Sequence, residues 1–371
     1  MGLDRSSYID EIPSFERLEP DALEIRKEMN MRVAALMDAR KGDRVDVGEY
    51  TAKMLLRQRV VNEKIIDWAD IVHPGTRVLD GCAGPEGSLL AAARRGGDWT
   101  GNEIARDTAE HLKSTGAKVL LSSADKFDCD DNSFDALVYI FAINNICATK
   151  NTFTEASRVL DSEGGEIVVS DPGLTFWVSD LVLYALCQDP RVPSEVLDVL
   201  GSSDRFTSGI ASYYERFPNV KPREYAEKTL EGLLGTDVEH AIAGLPAIVD
   251  FVKKSNNGRL DFRKFRRVFS EVLNGQYWVY VAECAKEAGF KLDKLGVLSA
   301  SRLKDSMDWS VTDVQNLNWI DLSNSREIAS AIYNVRNNKH PLSKEVVKPG
   351  SNVAQNVIAP VMKFSRMKKA E

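Results

Sequence analysis

The sequence predicts a doubly wound α/β fold with a mostly parallel sheet, and two observations lead to this prediction. Between residues 76 and 172, short apolar segments alternate with segments of helical periodicity, a pattern typical of β-α-β units. A glycine-rich turn follows the first strand, in the stretch VLDGCAGPEG at 78–87, where open α/β sheets bind their ligands. We expect seven strands, with N-terminal helices before them and a helical insertion after the fifth strand.

Five strands and three helices can be assigned in order within this region. The predicted strands are RVLD, WTGNE, KVLLSSAD, FDALVYIFAI and EIVVSD. The predicted helices are SLLAAARRG, ARDTAEHLKSTGA and TFTEASRVLDSEGG, each with a glycine near its end as a stop signal. A sixth strand follows Gly289, and EIASAIYNVRN is the expected last strand.

The alternation of strands and helices stops after the fifth strand, and helical segments with proline or aspartate starts and glycine stops follow. The polar, mildly basic end of the sequence is expected to be loose. We therefore divide the chain into an N-terminal helical segment (1–70), an α/β core (71–173 and 275–340), a helical cap inserted into that core (174–274) and a flexible tail (341–371).

Composition and charge argue against several classes of protein. The formal net charge is −7, so nucleic acid is not an expected partner. No apolar run reaches the length that spans a membrane, and the polar N-terminus lacks the core of a signal peptide. The five cysteines are scattered without metal-ligand spacing. We expect a cytoplasmic protein without a metal site or a membrane span, and a homodimer remains open.

Acidic residues at the ends of the first three strands indicate the chemistry of the ligand. They are Asp80, Glu103 and Asp125. Glu86 inside the glycine turn would repel a pyrophosphate, whereas Glu103 can accept two hydrogen bonds from a ribose diol and Asp125 can accept one from an adenine amine. Each acid alone could cap a helix or lie in solvent. Their combination with the glycine turn favours a nucleoside-type ligand that carries a cationic amine.

Four stretches, taken in order, resemble the class I S-adenosylmethionine-dependent methyltransferases, which have a Rossmann-like fold. They are VLDGCAGPEG, GNEIARD, SSADKFDCDDNSFDALVYIFAINNI and EASRVLDSEGGEIVVSDPG, and AECAKEAGF resembles the helix before the family's sixth strand. The closest resemblance, over about 55–172 and 276–335, is to the ubiquinone/menaquinone-methyltransferase-like group, which acts mostly on small molecules. The turn departs from the family's acid-x-Gly-x-Gly-x-Gly pattern, because Gly81 directly follows Asp80.

The resemblance implies S-adenosylmethionine as the cofactor and a set of residues that hold it. By position, the cofactor-binding residues would be Asp80, Gly81, Ala83, Gly84, Glu103, Ala124, Asp125, Phe141 and Ala142. The residues of the glycine turn would line the methionine part of the cofactor. Glu103 would hold the ribose hydroxyls and Asp125 the adenine amine, while the pair after the fourth strand would border the reacting sulfonium.

The helical cap is the expected binding site for the methyl acceptor, because it is rich in aromatic residues and such walls suit an organic molecule. Those aromatic residues could equally form the cap's own core. The candidates for acceptor contacts are Trp177, Tyr213, Tyr214 and Arg216. His240 and the two tyrosines are candidates for removing a proton, which a carbon or phenolic acceptor requires, and no catalytic residue is assigned.

These observations predict a methyltransferase that acts on an oxygen, nitrogen or carbon atom of a small or mid-sized organic acceptor. The sequence defines neither that acceptor nor the pathway. Two alternatives remain. One is a methyltransferase that acts on RNA or protein, for which the basic-aromatic segment FRKFRR at 262–267 is the relevant feature. The other is a non-catalytic Rossmann-like binding subunit.

Overall fold

The structure is a computed structural model that describes the α/β core, most of the helical insertion and the strand that completes the sheet. The described residues are 62–84, 96–104, 106–114, 116–143, 146, 148–171, 176–203, 210–211, 214–215, 218, 220–300, 317–321 and 357–367. The predicted helix after the glycine turn, the predicted last strand and most of the N-terminal segment lie outside these residues. Residues 62–69 of that N-terminal segment are helical, as predicted.

Eight strands of the described chain form one sheet, one more than the seven predicted. Their order confirms the predicted Rossmann-like fold. They are β1 (Arg77–Asp80), β2 (Asp98–Glu103), β3 (Lys118–Leu121), β4 (Ala136–Ile140), β5 (Glu166–Ser170), β6 (Phe290–Ala300), β7 (Leu317–Asp321) and β8 (Val357–Arg366). Their order across the sheet is β3-β2-β1-β4-β5-β8-β6-β7. β1 to β5 are parallel, and β6, β7 and β8 make antiparallel pairs.

The direction of strand succession reverses at β1, which has β2 on one side and β4 on the other. Asp80, the last residue of β1, is opposite Gly101 in β2 and Val138 in β4. The carboxyl ends of these three parallel strands therefore lie side by side. This reversal is the switch point at which open α/β sheets bind ligands.

β8 corrects the prediction that residues 341–371 form a flexible tail. Residues 357–366 form an inner strand that joins β5 to β6, and Val361, Met362 and Phe364 are buried in it. Lys363 is also buried, and its ammonium group lies 2.8 Å from the Glu166 carboxylate on β5. Lys363, one of the basic residues in the segment expected to be loose, is therefore paired within the sheet.

Besides the helical residues 62–69, 210–211 and 214–215, seven helices lie between the strands of the described chain. They are α1 (Arg106–Ser114), α2 (Thr149–Val159), α3 (Phe176–Leu186), α4 (Ser194–Gly201), α5 (Pro222–Leu234), α6 (Val238–Lys254) and α7 (Phe262–Glu287). Asp237 and Asp261 cap α6 and α7 by accepting backbone N–H groups, and Gly235 ends α5 in a left-handed conformation. α4 was not predicted. α7 is continuous across the predicted domain boundary at 274/275.

The helical insertion shares a hydrophobic core with the sheet. Leu79, Tyr139 and Val169 point from one face of the sheet into a buried cluster that also contains Leu230 of α5 and Val249 of α6. Since a strand alternates its side chains between two faces, the neighbouring residues belong to a second cluster on the other face. The insertion is therefore part of the same cooperative unit as the sheet rather than a domain with a core of its own.

Two contacts tie α3 at the start of the insertion to α7 at its end. The buried carboxylate of Asp180 accepts hydrogen bonds from the Arg266 guanidinium at 2.7 and 2.5 Å. Next to this pair in sequence, the hydroxyl groups of Ser179 and Ser270 lie 3.1 Å apart in the buried interior. No helix among the described residues is long and apolar enough to cross a membrane.

Candidate functional site

Two of the predicted acids lie at the ends of adjacent strands and are almost fully buried. Asp80 ends β1 and Glu103 ends β2, and each is 3% exposed. The Asp80 carboxylate accepts the Cys82 N–H at 3.4 Å, and the Glu103 carboxylate accepts the Ile104 N–H at 2.9 Å. The backbone that follows each strand therefore orients its acid, which offsets part of the cost of burying a charge.

The glycine turn is shaped by the neighbouring strand β4. A Cβ atom at residue 81 would lie 2.2 Å from Cε1 of Tyr139, so this position has no space for a side chain. The Gly81 N–H donates to the Val138 carbonyl at 3.0 Å. Gly84 has φ of +57°, a conformation that glycine adopts readily. The departure of this turn from the family pattern at residue 81 therefore has a packing cause.

The segment after β3 places Asp125 and Ala124 in a tight turn. The Lys126 N–H donates to the Ser123 carbonyl at 3.1 Å and closes this turn. Ala124 is buried, and Asp125 is half-buried beside it. Since β3 pairs with β2 in parallel, this turn lies at the same edge of the sheet as Glu103.

The end of β4 carries an unusual backbone conformation at a predicted site residue. Phe141 has φ of +56°, and its N–H donates to the Ser170 carbonyl of β5 at 2.6 Å. Bulky residues rarely adopt this left-handed conformation, and such positions concentrate at functional sites. Ala142 follows and is buried. The two residues predicted to border the sulfonium therefore lie at the edge where β4 and β5 end.

A buried acid that the sequence analysis did not select lies at this same edge. Asp171 directly follows β5 and is fully buried. Tyr277 of α7 is also fully buried, and its pKa is raised well above the ordinary value by burial and by the Asp171 carboxylate. Asp171 ends the predicted fifth strand, so its position could have been noticed. Tyr277 lies in a distant helical segment and carried no signal in sequence.

The predicted acceptor residues can be placed only in part. The ring of Tyr214 stacks on Tyr184 of α3 with a centroid distance of 5.6 Å, and its hydroxyl donates to the Leu181 carbonyl at 3.4 Å. Tyr213, Arg216 and the side chain of Trp177 lie outside the described part of the chain. The acceptor contacts therefore stay predictions.

His240 occupies an exposed position in the first turn of α6. Its side chain is 79% exposed, and its Nδ1 atom lies 2.8 Å from the carboxylate of Asp237. That carboxylate also caps the helix, so helix capping accounts for the contact. The prediction that His240 removes a proton from an acceptor gains no support from this position. Among the residues that the structure describes, no cluster of three or more potential ligands could hold a metal ion.

Residues 79–168, which run from β1 into β5, match a protein-family model described as a methyltransferase domain. This segment is therefore similar to methyltransferase domains, and the strand order shows a Rossmann-like fold.

Solved structures that match the chain include a Thermotoga maritima S-adenosylmethionine-dependent methyltransferase, at 13% identity and a TM-score of 0.38 over 87% of this chain and 96% of that one. The YcgJ protein of Bacillus subtilis is 10% identical, with a TM-score of 0.36 over 83% and 99% of the two chains. A chain of the Haloferax volcanii complex between the Trm112 activator and a methyltransferase is 12% identical, with a TM-score of 0.35 over 86% and 90%. No curated protein sequence matches the chain.

Proposed function

We propose that this protein is an S-adenosylmethionine-dependent methyltransferase that acts on a small or mid-sized organic acceptor. The observation that carries this proposal is the pair of buried carboxylates, Asp80 and Glu103, that flank the glycine turn at the switch point of the sheet. The match of residues 79–168 to the methyltransferase domain family supports the same activity.

The chemistry of these side chains suits the cofactor. Glu103 offers a carboxylate to the ribose diol, and Asp125 offers one to the adenine amine. Asp80, together with the backbone of Gly81, Ala83 and Gly84, would hold the methionine part, whose ammonium group a buried carboxylate attracts. When bound, S-adenosylmethionine supplies a methyl group that is already activated by its sulfonium.

The protein's part in the transfer is to position the acceptor and to exclude water. Phe141 and Ala142 border the proposed reaction edge with apolar surface, which favours a desolvated approach. An acceptor that loses a proton also needs a base within hydrogen-bond reach. Asp171 supplies a buried carboxylate at this edge, and we propose it for that role in place of His240.

The helical insertion is the proposed acceptor-binding cap. It begins directly after β5, and therefore at the edge of the sheet where the cofactor residues lie. The stacked pair of Tyr184 and Tyr214 provides aromatic surface in this block. We further propose that the protein belongs with the ubiquinone/menaquinone-methyltransferase-like group, and that it takes part in small-molecule metabolism in the cytoplasm.

An RNA substrate is disfavoured by the contacts of the basic segment 262–267. Phe265 is buried, Lys264 donates to the Ser255 carbonyl and Arg266 pairs with the buried Asp180. These side chains stabilise the helical insertion, so the segment offers less free basic surface than its composition suggests.

Isothermal titration calorimetry with S-adenosylhomocysteine tests the proposal. The wild-type protein should bind, and Glu103→Ala should weaken binding by about 1.5–3 kcal/mol, roughly ten- to a hundredfold. Glu110→Ala is the matched control, since Glu110 is an exposed acid on the following helix. Equal affinity in folded wild type and Glu103→Ala would refute the site. Binding without methyl transfer to any acceptor tested would favour the non-catalytic alternative.

A further inference from the structure

Asn102, next to the proposed ribose acid, is a buried amide whose side chain joins the ends of three strands. It is 2% exposed. Its Nδ2 atom donates to the Gly81 carbonyl at 3.1 Å and to the Ser122 carbonyl at 3.0 Å. Its Oδ1 atom accepts the hydroxyl of Ser122 at 2.6 Å. Both amide hydrogens and the amide oxygen are therefore used in contacts that reach from β2 to the segments after β1 and β3.

Backbone and hydroxyl groups extend these contacts along both neighbouring segments. The Asn102 carbonyl accepts the Ala83 N–H at 2.8 Å, so the glycine turn is held at two points. The Ser122 hydroxyl accepts the Asp128 N–H at 3.1 Å, beyond the turn that carries Asp125. We call this set of contacts the Asn102 link. It connects the glycine turn, the end of β2 and the segment 122–128.

The far end of the segment 122–128 is anchored separately to α2. The buried Glu155 carboxylate accepts the Phe127 N–H at 2.7 Å. Arg158 pairs with this carboxylate at 2.6 Å and donates to the Phe127 and Cys129 carbonyls. The segment is thus ordered by α2 whether or not it is joined to β2. The contribution specific to the Asn102 link is the position of this segment relative to Glu103 and the glycine turn.

We propose that Asn102 is a positioning residue that fixes the three cofactor-binding segments relative to one another, so that a ligand spanning all three meets a pre-organised site. This inference rests on the proposed function, because it assigns the methionine, ribose and adenine parts of the cofactor to these three segments. A buried amide is costly unless all its hydrogen bonds are made, and here one is made to the glycine turn at Gly81 and two to Ser122 after β3.

The inference has a consequence that a purely structural role would not produce. If the segments lose their mutual alignment, a ligand that touches all three must restore it on binding, and its apparent affinity falls by the fraction of molecules that are aligned. A ligand that touches one segment has no such requirement. S-adenosylhomocysteine would span the three segments, whereas adenine would reach only the turn of Asp125.

The test compares these two ligands in wild type and Asn102→Leu, with calorimetry for S-adenosylhomocysteine and ligand-observed NMR for adenine. We expect affinity for S-adenosylhomocysteine to fall tenfold or more and affinity for adenine to change less than twofold. Ser122→Ala is a milder change, because it removes only the hydroxyl contacts. Its affinity for S-adenosylhomocysteine should be at least threefold lower than that of wild type. Ser179→Ala is the control, because it removes a buried hydrogen bond in the helical insertion and should leave both affinities unchanged.

Equal losses for the two ligands, or no loss for either in folded variants, would overturn the inference. Amide exchange gives a readout that does not depend on ligand. In Asn102→Leu, protection of the Ala83 and Asp128 N–H groups should fall together, while Ser179→Ala keeps both. If wild type binds no S-adenosylhomocysteine, the proposed function fails. The Asn102 link itself would be overturned if amide protection in Asn102→Leu fell at only one of the two N–H groups.

Discussion

The phenol ring of Tyr139 fills the space into which a side chain at residue 81 would project. The ideal Cβ position at Gly81 lies 2.2, 2.8 and 2.9 Å from three carbon atoms of this ring. A glycine therefore follows Asp80 because the neighbouring strand β4 occupies its side-chain space. The glycine turn is shaped from within the protein as well as by the needs of a ligand.

Gly81→Ala should destabilise the protein by about 1–3 kcal/mol, because the added methyl group overpacks a filled interior. Urea unfolding gives this value. The double variant Gly81→Ala/Tyr139→Leu should be more stable than the sum of the two single variants predicts, since the smaller side chain makes room. Gly164→Ala is the control, because a Cβ atom there meets nothing within 4 Å. Strict additivity in the double variant would contradict this account.

Removing the partner of the buried Asp180 should produce a pH-dependent loss of stability. Burial raises the pKa of Asp180, and Arg266 lowers it in part. Arg266→Leu should lower the free energy of unfolding by about 1–3 kcal/mol at pH 7, a value reduced because the arginine is partly exposed to solvent. Since the carboxyl pKa is higher in the folded state than in the unfolded state, the cost is present at neutral pH and shrinks as the pH falls toward 4.

Urea unfolding of wild type and Arg266→Leu at several pH values measures this difference. Asp180→Asn in the Arg266→Leu background should remove most of its pH dependence, because the buried side chain is then neutral. Arg263→Leu on the exposed face of the same helix serves as the control. If the loss in free energy of unfolding caused by Arg266→Leu stays constant from pH 7 to pH 4, Asp180 is excluded as its cause.

Phe364→Ala should destabilise the protein by about 3–5 kcal/mol, the range for removal of a buried aromatic side chain. Phe364 is 1% exposed, and its ring meets Phe153 of α2 edge-on with a centroid distance of 6.0 Å. Met367→Ala, at an exposed residue just beyond β8, should have almost no effect. If both variants unfold like wild type in urea, β8 does not complete the sheet.

Tyr214→Ala should separate acceptor turnover from cofactor binding. Loss of its stacking on Tyr184 alters the proposed acceptor surface, so turnover of an acceptor found by screening for S-adenosylhomocysteine release should fall. Affinity for S-adenosylhomocysteine should stay within about twofold, since distant sites act nearly independently. Phe251→Ala, which removes an exposed aromatic ring from α6, is the control. A parallel fall in cofactor affinity would argue against a separate acceptor cap.

The parallel half of the sheet and the acids of the site could be predicted because their determinants are local. Apart from β2, whose sequence is DWTGNE, the strands from β1 to β5 are short apolar runs, and an acid or turn residue marks the end of each strand. Asp80 and Glu103 therefore lie where the sequence placed them, at neighbouring strand ends. The contacts of Asn102, Tyr139 and Asp171 depend on residues that the fold brings together, and no local sequence pattern predicts them.

The antiparallel half was predicted less well because its residues carry misleading local signals. Pro360 and Lys363 disfavour an inner strand, yet β8 contains both, and Glu166 pairs with the lysine. The predicted domain boundary between Asn274 and Gly275 falls within α7, which continues through it. Buried residues on both sides of this dipeptide, Leu273 and Tyr277, hold the helix together through tertiary packing, which commonly overrides local propensity.

The position of β8 between β5 and β6 has a consequence for how the chain is made. The ribosome releases β5 first, then the helical insertion, β6 and β7, and only later the strand that hydrogen-bonds to both β5 and β6. Until residues 357–366 emerge, the nascent chain displays an unpaired edge of β5, and such edges attract other chains. A translation product that ends before β8 lacks the strand that joins the two halves of the sheet. We therefore expect chaperones and proteases to recognise such a product.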